Sequence, residues 1–104
     1  GMSIWVELKV IHSKKIKLSP HQKSWNFTHS LKGGRNFIMA TTLEDSLLYI
    51  FSGSVALSIS SIANLPLDHW VVDMRRGPHA WQQVQEILLH CPLPKPSPPK
   101  VSNS

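Results

Sequence analysis

Six histidines, six acidic residues and one cysteine are the side chains of this 104-residue chain best suited to proton transfer, metal binding or nucleophilic attack. The histidines are His12, His21, His29, His69, His79 and His90. Helical metal ligands usually recur four residues apart, and no two of these histidines have that spacing. His79 and His90 share a side of the last predicted helix, but eleven residues at about 1.5 Å rise separate them by roughly 16 Å. No metal and no cofactor is therefore expected, and His90 reads as a partner for Glu86 one turn earlier. Asp68-His69 and Asp73 flank the apolar pair Val71-Val72. A carboxylate at the end of a buried strand can orient a histidine or act as a general base. His29, His69 and Asp73 are thus the candidates for a ligand pocket or a small enzyme. The plainer alternative has Asp73 satisfying the turn that follows it, or pairing with Arg75 or Arg76. Cys91 falls on the apolar arc of the last helix and reads as a small buried hydrophobe, not a nucleophile. No Gly-x-Ser-x-Gly occurs, and Lys32-Gly33-Gly34-Arg35 is too short for a phosphate loop. No catalytic residue can be named, so an enzyme is not the leading expectation.

Charge supplies a second kind of chemistry. The formal net charge is +5, and it is unevenly spread. Residues 1–35 carry Lys9, Lys14, Lys15, Lys17, Lys23, Lys32 and Arg35 against Glu7 alone, while the stretch from Asn36 to Asp73 holds no Lys or Arg. Lys9, Lys14, Lys15, Lys17 and Lys23, with Trp25 and Phe27 nearby, combine phosphate-binding charge with rings that can stack on bases. The alternative is a solvated basic hairpin whose aromatic residues face the core, and no named nucleic-acid motif is present. Pro96 and Pro99 have PxxP spacing, but Lys95 and Lys100 sit directly against them, so a passive terminus is the expectation.

Positioning these groups falls to a small set of elements. The length suits one domain over residues 2–91, with a Pro-rich tail over 92–104 too poor in apolar residues to pack. Hydrophobic residues make up 41% and charged residues 16%, which argues against global disorder. The run from Trp5 to Ile16 interleaves apolar residues with Glu7, Lys9, Lys14 and Lys15, unlike a secretory leader. Together with the single cysteine this makes a reducing cytoplasm the expected setting, and the Asn26-Phe27-Thr28 glycosylation pattern an accident. Ser46 to Leu67 is uncharged and long enough to cross a bilayer as a helix. Its many serines and the break at Phe51-Ser52-Gly53-Ser54 point instead to two elements joined near Gly53, with no membrane span.

Ser3 to His12 alternates as a strand, with Ile4, Val6, Leu8 and Val10 on one face and Trp5, Glu7, Lys9 and Ile11 on the other. A polar break at Ser13-Lys14 leads to a second alternating stretch, Lys15 to Ser19, which Pro20 ends. Ser24 to Leu31 alternates once more, and Gly33-Gly34 supplies the turn of a hairpin returning through Asn36 to Thr41. Thr41 and Thr42, each followed three residues later by an acid, predict a helix that runs through Leu47, Ile50 and Phe51 to Ser52-Gly53. Residues 54–64 fit a strand or a helix. His69 to Met74 reads as a buried strand. Gly77-Pro78 opens an amphipathic helix with Ala80, Trp81, Val84, Ile87, Leu88, Leu89 and Cys91 on its apolar arc, and Pro92 stops it.

The expected fold is α+β: a mostly antiparallel sheet of four to five strands with one or two helices on one face and a disordered tail. The leading functional expectation is a non-enzymatic binding or assembly module whose partner is a protein or a second copy. An exposed strand edge invites such pairing, and Trp5 and Ile11 are the candidates beneath the self-association surface. Nucleic-acid binding through the basic N-terminal third is the second expectation, and a His/Asp pocket the third.

Overall fold

The computed structural model describes residues 4–11, 13–42, 44, 46–64 and 69–93. They form an α+β fold in which a four-stranded mixed sheet lies between two helices. The strands are β1 (Ile4–Ile11), β2 (Arg35–Thr42), β3 (Leu47–Ser52) and β4 (His69–Asp73), in that spatial order; the helices are α1 (Pro20–Leu31) and α2 (Pro78–His90). β1 and β2 run parallel, joined through α1, whereas β2–β3 and β3–β4 are antiparallel. The α+β class and the largely antiparallel pairing match the sequence reading. The helices, however, lie on opposite faces, because a parallel β1–α1–β2 crossover occupies one face and leaves α2 the other.

Register assigns the residues to faces. Val6 pairs with Phe37, Met39 with Ile50, and Ile50 with Trp70, which puts the even residues of β1 on the α2 side. There Phe37, Met39, Leu48, Ile50 and Val72 pack against Ala80, Val84 and Ile87 of α2. Burying each of the larger ones fully is worth about 1.5–3 kcal/mol. Trp5, Glu7, Lys9 and Ile11 share the α1 side with Asn36, Ile38 and Ala40. The core on that side joins Ile11, Ile38, Ala40 and Phe51 to Ile16, Leu18, Ala56 and Ile59 from the connecting segments.

Residues 24–31, expected as a strand, are helical. Ser19 accepts the Gln22 amide while Gln22 accepts the Ser19 amide, a capping box, and Pro20 occupies the first turn. The same residues that alternate also fall four apart: Trp25 stacks on His29 with centroids 4.7 Å apart, and Asn26 donates to the Gln22 carbonyl. Gly33, with φ of +81°, ends this helix and is not a hairpin turn. Gly34 lies beneath the His29 ring, where any Cβ would collide with it.

The helix expected from Thr41 to Ser52-Gly53 is instead the end of β2 and all of β3, with Glu44 in a turn between them. Leu47 to Phe51 is an unbroken apolar run, and an inner strand covered on both faces needs that pattern as much as a buried helix does. The break near Gly53 is present as a 3-10 turn, Gly53–Val55, and a second such turn spans Ile62–Asn64. Lys15 to Ser19 makes no hairpin with β1. Ser13 and Lys14 turn the chain through left-handed backbone, and Lys15 then bridges to Ser61. β4 occurs where expected, but as an edge strand with Val71 exposed. α2 also matches, on a narrower arc: Trp81 and Leu89 are exposed. Asp68, His12, Asp45 and the Pro-rich stretch from Pro94 lie outside the described residues. Among those described, no helix is long and apolar enough to cross a membrane.

Two polar anchors hold the helices to the sheet. On the α1 side, buried Asn36 donates to the backbone and side-chain oxygens of Asn26 and accepts from the Ser30 hydroxyl. This network sits beside Gly53, where a Cβ would strike the Asn36 amide. On the α2 side, Arg35 donates to the carbonyls of Ile87, Leu88 and Cys91, so its charge meets the negative end of the helix dipole.

Candidate functional site

β1 is the longer edge of the sheet and, among the described residues, has a neighbouring strand on one side only. Its apolar residues are unusually open: Trp5 is 48% exposed, Val6 37%, Leu8 61% and Val10 46%. α2 packs with Ile4 at the start of the strand, then leaves Val6, Leu8 and Val10 uncovered. On the other face Glu7 and Lys9 are half-buried, and among the described residues neither has an ion-pair partner. An edge strand presents unpaired backbone N–H and C=O groups, and here they run alongside an apolar strip. Chemically, that combination suits the addition of another strand.

Of the two self-association candidates, Trp5 lies at this surface and packs at 4.9 Å, tilted, against Trp25. Ile11 does not; it is buried in the α1-side core. Val6, Leu8 and Val10 are also open, residues that alternation places on one face without saying whether that face is buried. Only the edge position of β1 and the reach of α2 reveal that it is open.

The lysines divide. Lys9, Lys15 and Lys17, with Val10 and Ser13, line one depression of about 350 Å³ beside the C-terminal half of β1. Among the described residues its lining holds no acid. Ile16 and Leu18 turn inward, so the alternating Lys15 and Lys17 turn outward. Lys14 caps the turn and Lys23 belongs to α1; neither lines the depression.

The three pocket candidates do not converge. His29 is held on α1 between Trp25 and Gly34. His69 and Asp73 stand at the two ends of β4, on the opposite edge of the sheet from β1. Asp73 accepts from the Arg75 amide and guanidinium, at 3.0 Å, and these hydrogen bonds hold its carboxyl below the usual carboxylate range. That is the turn-satisfying role. Cys91 is half-buried against the α2-side core as a free thiol. Among the described residues no three His, Cys, Asp or Glu side chains are grouped so as to hold a metal ion. Comparison with protein-family models, with curated proteins and with solved structures finds no match, so the site rests on its own geometry.

Proposed function

We propose that this chain is a non-enzymatic assembly module that takes up a strand from a protein partner along β1. The observation that carries this is the exposure of Trp5, Val6, Leu8 and Val10 on an eight-residue edge strand. Backbone hydrogen bonds would supply affinity, and the alternating side chains specificity. The separation of His29, His69 and Asp73 supports the non-enzymatic part. A cytoplasmic setting belongs to the same proposal and is supported by the lone free cysteine. Leu8→Lys tests it: a charge in the middle of the edge weakens association by about tenfold or more while leaving the circular dichroism unchanged. Association that survives Leu8→Lys intact argues against β1 as the working surface.

The lysine-lined depression favours a second reading, the binding of a phosphate-bearing polymer such as single-stranded nucleic acid. Its affinity would fall steeply with added salt and drop further when Lys9, Lys15 and Lys17 are neutralised together. Binding that ignores salt would remove it.

A further inference from the structure

We infer that the strand added to β1 is β1 of a second copy, antiparallel about a two-fold axis midway between the two Leu8 residues, joining two four-stranded sheets into one. The pairing builds on strand addition at β1, as proposed above, and names the strand that is added. In an antiparallel pair, residues directly opposite share a face, and a two-fold axis perpendicular to the sheet keeps α2 of both copies on the same side. Charge then selects the register. Centring the axis on Glu7 sets two glutamates face to face, and centring it on Lys9 sets two lysines face to face. Centring it on Leu8 places each Glu7 opposite Lys9 of the other copy, twice over, by symmetry. Like charges directly opposite destabilise a sheet and opposite charges stabilise it.

The same axis completes the other face. Val6 falls opposite Val10 of the second copy and Leu8 opposite its own mate, while Trp5 falls opposite Ile11 on the face that carries Glu7 and Lys9. The open strips of both strands become one apolar band on the side where α2 already covers β2, β3 and β4. Turning one copy over would break that band and set Val6, Leu8 and Val10 against the charged face. Glu7 and Lys9 have no ion partner within their own chain among the described residues, so each is free to take the other's.

Sedimentation velocity of the full chain at low salt, over a range of concentrations, tests the pairing with Glu7→Lys, Lys9→Glu, their equal mixture and the double variant. The wild type is expected to dimerise, and each single variant to dimerise about tenfold more weakly or worse, since both ion pairs become repulsive. The mixture and the double variant restore the dimer, because each then sets opposite charges face to face. Unchanged circular dichroism shows that the variants are folded. A wild type that stays monomeric to its solubility limit overturns self-pairing, while strand addition is then judged by Leu8→Lys against a foreign partner. A dimer lost in Leu8→Lys but not rescued by the double variant overturns the Leu8-centred pairing and keeps the surface. A dimer indifferent to every one of these changes overturns both.

Discussion

At one edge of the sheet β4 runs for five residues and ends in Asp73, tied to Arg75 and followed by Arg76. At the other edge β1 runs for eight, with its charges confined to one face and three apolar residues open on the other. Natural sheets blunt their edges with short strands and charges, because an open edge recruits other chains. β4 follows that practice in its length and its terminal charge, whereas β1 is longer and keeps its two charges, Glu7 and Lys9, on one face, leaving the other face apolar and open. The difference locates the interaction surface more sharply than any single residue, since both edges belong to one small sheet in the same solvent. It also explains why burial is uneven across the sheet: α2 crosses β2, β3 and β4 and stops at Ile4, so the uncovered side of β1 is what remains for a partner.

The contrast requires an intact sheet behind both edges, and the largest effects come from removing the anchors that hold the helices to it. Asn36→Leu, at the position paired with Trp5, leaves the Ser30 hydroxyl and the Asn26 Oδ1 without their partner inside the α1 side. A loss of about 3 kcal/mol is expected in denaturant unfolding. Arg35→Ala frees three carbonyls at the end of α2 and should cost about 2 kcal/mol, read the same way. Neither change touches the exposed strip, so the association that survives at temperatures where these variants are folded should be that of the wild type.

The next test sets one edge against the other. Leu8→Lys weakens association by about tenfold or more, whereas Val71→Lys, the matching charge on β4, leaves it unchanged. Equal effects at both edges would dissolve the contrast. The smallest effect lies in the turn after β4. The folded Asp73 carboxyl titrates below its usual range because Arg75 hydrogen-bonds its charged form. The unfolded chain takes up that proton at a higher pH than the folded one. The contribution is therefore complete above the ordinary carboxylate pKa and disappears as pH falls through the lowered folded value. Asp73→Asn should flatten the acid limb of the stability curve slightly, in a pH series of thermal melts.

Much of this architecture is legible from residue patterns. β1 declares itself by alternation, β4 by Trp70-Val71-Val72 after His69, and α2 by Pro78 and its apolar arc. α1 is harder, because Trp25, Phe27, His29 and Leu31 alternate as a strand would, while the helix depends on tertiary anchors such as Asn26–Asn36. The one local sign was Ser19-Pro20-His21-Gln22, a capping box with proline in the first turn. β3 was obscured for a different reason: a strand buried on both faces loses its alternation, and Leu47 to Phe51 then satisfies a helical template equally well. The interaction surface was half visible. Alternation points to Trp5, which is exposed, and to Ile11, which is buried, and it gives Val6, Leu8 and Val10 a common face without marking that face as open. Alternation sorts residues into two faces without saying which face a distant helix will cover.

The most direct measurement is amide hydrogen exchange of the full chain, followed strand by strand as protein concentration rises. Exchange in β1 is predicted to slow with concentration while exchange in β4 stays constant, and the Leu8→Lys chain should lose that dependence. Exchange in β1 that stays flat in a chain that nonetheless associates would contradict the account, because its open edge would then be no one's binding site.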